Sequence, residues 1–427
     1  MTAHVLMAAC QQDPAAEREH LASLLPAGTV GGAIARAAAG ADCAVLAWAH
    51  AGLMDLTGPS AGPPLAPAAP VLTRTAVIAA AITELASEHG AAVGLDLSAI
   101  LAGRAAIRGW SHRGTVSANG TCRLLPAADG WLAVNLPRPD DLGGVPAVLG
   151  RGLTGDVWAE LRADALSLPA ADLAARAQLV GIPAAVLASA APEPARFGRH
   201  GEPGQTPGLI LDLSAMWAGP LCVSILRRTG WRTLKVEDIR RPDGARTGLP
   251  RFYASLHEGG QAVQLDFGSP SGRAELLRLA GQAGIIVEGS RPRALRRLGL
   301  IAENWLASAP GRVWVSITGY GREDPEQRVA FGDDAAVAGG LVACAPDGTP
   351  VFCGDAIADP LTGMFAALAA LAAVKAGGGL LADVAMASVC ADLARPAAGP
   401  VLPHRIASDS AGWTVSHGPL HQQVLSL

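Results

Sequence analysis

The segment Gly354-Asp355-Ala356-Ile357-Ala358-Asp359-Pro360-Leu361-Thr362-Gly363-Met364 places two carboxylates directly before an Ala/Leu-rich stretch that predicts a helix from about Phe365 to Val374. A carboxylate in that position stands by the helix N-terminus. The positive end of the helix stabilises an anion, keeping the group ionised and able to attack an electrophilic carbon. For Asp359 taken alone, the competing reading is an ordinary helix N-cap.

The rest of the chain must position these groups. Its 427 residues, half of them apolar, can bury more than one core. A formal charge of -4 provides no global attraction to nucleic acid or an anionic membrane. The seven cysteines are odd in number, scattered, and contain no Cys-x-x-Cys pair. That pattern implies reduced thiols in a cytoplasmic protein, with no metal site and no disulfide framework. Met7-Ala8-Ala9-Cys10 has the look of a lipoprotein cleavage site, but no Lys or Arg precedes a very short apolar region, so secretion is not expected. The sequon Asn119-Gly120-Thr121 then reads as no more than a turn. The longest apolar run, Leu361 to Val374, is too short to span a bilayer and predicts a buried helix.

Pro192, Pro194, Pro203, Gly204 and Pro207 mark a linker. Beyond it, Leu209 to Leu213 predicts a strand, Pro220 to Arg228 a helix stopped by Gly230, and Trp231 to Glu237 a second strand. Ala262 to Leu265, a helix over Ser271 to Ala280, a strand at Ile285 to Val287, a helical segment around Trp305 and a strand over Arg312 to Ile317 follow. Strands alternating with helices predict an α/β fold with a doubly wound, Rossmann-like parallel sheet. The first strand-to-helix turn, Ser214 to Pro220, lacks the Gly-x-Gly-x-x-Gly spacing of a dinucleotide site. Arginines follow the strand ends instead: Arg240, Arg241 and Arg246, then Arg291, Arg293, Arg296 and Arg297. They suit a phosphorylated ligand or, equally, a solvated face.

A series of blocks in order carries a resemblance: Leu211-Asp212-Leu213 through Trp217-Ala218-Gly219-Pro220 to Leu234-Lys235-Val236-Glu237; Val263 to Asp266; Val287-Glu288-Gly289-Ser290-Arg291-Pro292; Leu298-Gly299-Leu300; Val315 to Gly321; and Asp359-Pro360-Leu361-Thr362-Gly363. Over about residues 208 to 395 the chain resembles the family III CoA-transferases (CaiB/BaiF family). The resemblance implies an acyl-CoA:carboxylate CoA-transferase with Asp359 as nucleophile, working through an aspartyl-acyl anhydride and an aspartyl-CoA thioester. Asp355 is the local competitor but does not align with the family's nucleophile. By the same resemblance Arg240 and Arg297 fall where CoA phosphates or adenine are held, Tyr320 lies in the loop lining the thioester site, and Trp217 stands where formyl-CoA transferases carry Gln. Coenzyme A thioesters would be substrates, with no permanently bound cofactor, and a carboxylic acid would be the acceptor. Glycines such as Gly319, Gly339 and Gly340 are candidates to stabilise an oxyanion. Ordinary members form interlocked dimers, which implies a homodimer here.

The N-terminal half matches in an unexpected order. Ala51 to Met54 with Gly62 to Leu65 parallels Gly340-Leu341 with Gly348 to Val351, and Leu95 to Ala99 parallels Ala382 to Met386, a repeat about 288 residues apart. Pro70 or its neighbours stand where Asp359 stands, so this copy has no nucleophile and is expected to be silent. A hairpin over Cys122 to Leu136, turning at Asp129-Gly130, resembles with Leu173 to Ala185 the family's smaller α+β domain. The expected organisation is a degenerate partial copy of the large domain (1–110), the small domain (111–190), a linker (191–207), the large CoA-binding domain (208–395) and a tail (396–427).

Three rivals are weighed. A 2-methylacyl-CoA racemase uses His and Asp, but no His occurs from Arg312 to Asp359. Gly58-Pro59-Ser60-Ala61-Gly62 fits a serine hydrolase pattern, but Pro63 and Pro64 forbid the helix a nucleophile elbow needs. A non-catalytic CoA-binding or regulatory homologue fits the divergent first copy and Trp217, whereas the retained Asp359 speaks against it.

Overall fold

The computed structural model describes residues 3–9, 13–30, 43–397, 401–410 and 412–427. Cys10 lies outside them. A seven-stranded sheet organises the chain. Leu209–Leu213 lies inside it; Arg232–Asp238 and Gln261–Leu265 extend the sheet to one side, Ile285–Glu288, Val313–Thr318 and Leu380–Ala385 to the other. These six strands are parallel. The strand order therefore reverses between Leu209–Leu213 and Ile285–Glu288, the crevice where doubly wound sheets take ligands beyond the carboxyl ends of their strands.

The strands read as continuous apolar runs because both faces are covered. Ile285, Val287, Val313, Val315 and Ile317 point into one core with the helices Ala218–Arg228 and Ala358–Lys375. Their alternates, Ile286 and Trp314, point into the other with Leu276 and Trp305. Ala358–Lys375 is the innermost helix: every residue from Pro360 to Ala373 is buried, so this long apolar helix is core. It starts about seven residues earlier than expected, because a proline within the first turn needs no intrahelical donor and does not stop it. Asp359 therefore sits in the first turn of the helix rather than before it.

The N-terminal half packs on the same core. Ala44–His50, Val71–Glu88 and Leu97–Arg108 are helices, standing about 288 residues before Gly332–Ala338, Ala358–Lys375 and Met386–Leu393. The stretch 91–96 has no strand where Leu380–Ala385 has one. The small sheet joins Cys122–Ala127, Gly130–Asn135 and Ala184–Val186, and turns at Ala128-Asp129, one residue before the expected turn. Helices Pro139–Leu149, Val157–Ser167 and Ala170–Leu179 close its separate core.

Two segments are more ordered than their composition implied. Ala195–Arg199, in the proline-rich stretch, is the edge strand of the large sheet, antiparallel to Leu380–Ala385. Pro192 and Pro194 precede that strand, and an edge tolerates them because it needs donors on one side only. The final residues form strands Val401–Asp409, Gly412–His417 and Leu420–Gln423, and Ala3–Ala9 pairs with the first of these. Ser60 lies in an irregular loop with no helix immediately after it.

Candidate active site

Four carboxylates meet at the start of the innermost helix, and their hydrogen bonds sort them. Asp355 is fully buried and accepts two bonds from Arg104, from Nε at 2.7 Å and Nη2 at 2.6 Å. This bidentate clamp removes the sequence's local competitor from consideration as nucleophile. Asp333 accepts from Asn119 Nδ2 at 2.8 Å and from the Ala356 amide at 2.9 Å. Asp334 accepts from Asn135 Nδ2 at 2.8 Å and from the Phe331 amide at 3.1 Å. Asp333 is 3% exposed and Asp334 wholly buried. Asp359 alone is half-buried, and no side-chain donor among the described residues bonds to it.

Glycines make that arrangement possible. A Cβ on Gly332 would collide with the Ala356 carbonyl and the Asp359 carboxylate. A Cβ on Gly363 would lie 2.6 Å from the Ala218 carbonyl, so the missing side chain lets helices Ala218–Arg228 and Ala358–Lys375 touch. Two non-glycine residues flank the site in left-handed conformations, Ala356 at φ +42° and Met216 at φ +71°. Such strain persists only where the surroundings enforce it. At Met216 they do: its amide donates to Asp243 Oδ1 at 3.1 Å, and Asp243 pairs with buried Lys235 at 3.2 Å. Lys235 also donates to the Ser214 carbonyl at 2.8 Å, fixing both ends of the loop that leads to Trp217.

Electrostatics overturn one expectation. The helix N-terminus was expected to keep Asp359 ionised, yet burial pushes its carboxyl up to about 7. Arg104 and the Ala218 amide oppose that shift, and the Asp333 and Asp355 charges reinforce it. A helix end is worth only about 0.3–1 kcal/mol, so the loss of water around the inward-facing carboxyl outweighs it. Burial likewise raises Asp333 to about 6 and Asp334 to about 7. Asp359 is also no N-cap, since Ile357 holds that position and no side chain caps the helix.

Residues 208–412 match the family model described as CoA-transferase family III. The match covers 205 of the 427 residues. Succinyl-CoA--D-citramalate CoA-transferase of Chloroflexus aurantiacus is 30% identical over 189 residues, 41% of this chain and 47% of its own. Succinyl-CoA:glutarate CoA-transferase of Homo sapiens is 30% identical over 226 residues, 49% of this chain and 51% of its own. The chain thus spans about half the length of the curated relatives it matches. A crystal structure of a CaiB/BaiF family protein from Brucella suis aligns at 22% identity over 50% of this chain and 66% of that one, with a TM-score of 0.44.

Within the family III segment the sequence-named residues separate. Trp217 is 2% exposed, edge-on to Phe252 at 5.0 Å, and carries the Arg104 guanidinium 4.6 Å above its ring. Arg240 and Arg297 lie beyond the carboxyl ends of Arg232–Asp238 and Ile285–Glu288, both exposed, with Arg240 paired to Asp266 at 3.0 Å. Tyr320 follows Val313–Thr318, its ring under Arg328 at 4.0 Å, and burial pushes its hydroxyl well above the ordinary range. The Gly339 and Gly340 amides already bond to the Ala335 and Val337 carbonyls, so neither is free for an oxyanion. Among the described residues no cluster with metal-ligand geometry occurs.

Sequence reasoning did not single out Arg104, Asn119, Asn135, Asp333 or Lys235 for these roles. Asn119 does close a turn, accepting from the Thr121 amide at 2.8 Å, but its other side-chain end holds Asp333. The available signal was chemical: Asp333-Asp334 enters an otherwise apolar helix, and Arg104 interrupts the apolar stretch Leu101–Ala106.

Proposed function

We propose that the chain is an acyl-CoA:carboxylate CoA-transferase with Asp359 as the nucleophile. The observation that carries this reading is selective availability: three of the four clustered carboxylates are consumed by side-chain donors, and the fourth is half-buried with none. The relatives named as CoA-transferases, with succinyl-CoA in their names, support a thioester donor and a carboxylate acceptor.

In this reaction the ionised Asp359 oxygen attacks the thioester carbonyl carbon; the C–O bond forms, the C–S bond breaks and CoA leaves as thiolate. The thiolate then attacks the Asp359 carbonyl carbon of the anhydride, releasing the donor acid and leaving an aspartyl-CoA thioester. The acceptor carboxylate reverses these steps. Covalent catalysis thereby splits one hard exchange into easier ones. A carboxyl pushed up by burial is a more basic carboxylate once ionised, which suits attack but requires deprotonation first. Arg240 and Arg297 are the arginines for the CoA phosphates, and Trp217 and Tyr320 are walls of the thioester pocket. The test is Asp359→Asn with succinyl-CoA as donor and glutarate as acceptor. Exchange falls to background while CoA binding, measured by calorimetry, persists; retained exchange would refute the assignment.

A further inference from the structure

We propose that Arg104, supplied by the N-terminal half, receives the carboxylate of the acceptor acid beside Asp359; this rests on the transferase reading above. Arg104 lies on helix Leu97–Arg108, far from the family III segment in sequence. Its guanidinium lies on the Trp217 indole at 4.6 Å and against Trp110 at 5.6 Å. One edge, Nε and Nη2, is committed to Asp355. The other edge is not: Nη1 donates to no group among the described residues, and the side chain keeps 16% exposure. A planar cation held by stacking and by one carboxylate presents its remaining N–H edge in a fixed direction, the geometry that pairs a second carboxylate.

The placement relative to the nucleophile is set by bonded neighbours. Asp355 is four residues before Asp359, and Trp217, on which Arg104 lies, directly precedes Ala218, whose carbonyl packs on Gly363 of the helix that begins at Asp359's turn. Arg104 is also the strongest opposing influence on the Asp359 proton. An acceptor acid arrives as an anion among Asp333, Asp355 and Asp359, which would repel it, and Arg104 is the cation there. The sequence of charges suits the reaction. Once Asp359 is a CoA thioester its charge is gone, and the free guanidinium edge faces one anion fewer. The acceptor oxygen attacks the thioester carbonyl carbon, C–O forms, C–S breaks, and the pair leaves on the CoA thiolate. The thiolate then attacks the acceptor acyl carbon, and the C–O bond to Asp359 breaks, restoring its carboxylate. No proton, oxidant or further reactant is needed. On this account the half that lacks a nucleophile is not silent, because it holds the second substrate.

The test compares wild type, Arg104→Lys and Arg104→Met/Asp355→Asn, with succinyl-CoA and glutarate as probes. Lysine keeps a charge for Asp355 but loses the planar fork, and the double variant leaves no unpaired carboxylate. Two quantities are read: the KM for glutarate in full exchange, and the rate at which succinyl-CoA alone labels Asp359. In both variants the glutarate KM rises about tenfold or more, the size of a lost charged hydrogen bond, while labelling slows by less than about threefold. An unchanged KM, or a KM and labelling rate that deteriorate together, would overturn the role of Arg104. Wild-type protein that is never labelled at Asp359 would instead overturn the transferase reading beneath it.

Discussion

Removing Asp355 tests the electrostatic design, because one substitution has two separable consequences. The Arg104–Asp355 pair is bidentate, with Asp355 fully buried and Arg104 16% exposed. Breaking a buried pair costs about 3–5 kcal/mol, because the remaining charge is stranded. The partial exposure of Arg104 places Asp355→Ala near the lower end, about 3 kcal/mol. Replacing both partners, in Arg104→Met/Asp355→Leu, recovers most of that loss, since neither charge is then left unpaired. Urea denaturation of the full chain, run as a double-mutant cycle, measures the coupling. The second consequence is on Asp359, the proposed nucleophile. The Asp355 charge helps hold the Asp359 proton and Arg104 opposes it, so Asp355→Asn removes a raising influence and leaves Arg104 free to act on Asp359. The acid limb of labelling at Asp359 therefore moves to lower pH than in wild type. A loss below about 1 kcal/mol in Asp355→Ala, the scale of a surface ion pair, or an acid limb that stays in place, would refute this reasoning.

Other substitutions probe the neighbouring contacts. Gly332→Ala must displace either the Ala356 carbonyl or the Asp359 carboxylate; it should cost about 1–3 kcal/mol by overpacking and slow Asp359 labelling on the order of 100-fold through misplacement, measured by melting and mass spectrometry. Asn119→Ala strips one donor from Asp333 and should cost about 1–3 kcal/mol, with its stability loss larger at pH 8 than at pH 5. Asp334 has a carboxyl raised in the folded state to about 7, so the native protein holds a proton that the unfolded chain releases. Its contribution to stability is present below the unfolded pKa and is lost as pH rises through about 7. Melting temperatures of wild type should fall from pH 5 to pH 8, and Asp334→Asn should flatten that fall.

Much of the large sheet was legible because its strands are apolar runs at βα spacing, as in Leu209–Leu213, Ile285–Glu288 and Val313–Thr318. Asp359, the proposed nucleophile, was legible through its surrounding block, but its environment was not. Pro360 and Gly363 look like helix breakers in sequence; Pro360 needs no intrahelical donor in the first turn, and the close approach of the Ala218 carbonyl explains Gly363. Asp355 and Asp359 are equivalent by local sequence. What distinguishes them is a guanidinium 251 residues away from Asp355 in the chain, a contact no local pattern encodes. The same holds for Asn119, whose sequon suggested only its turn. The proline-rich stretch misled because an edge strand such as Ala195–Arg199 needs partners on only one side.

The most direct measurement incubates the full chain with succinyl-CoA, quenches in acid, and maps peptides by mass spectrometry before and after hydroxylamine. A succinyl or CoA adduct on Asp359, removed by hydroxylamine and absent from Asp355 and Asp333, is the predicted result. An adduct on another carboxylate, or none across a series of acyl-CoA thioesters that bind, would contradict the assignment of Asp359 as the nucleophile.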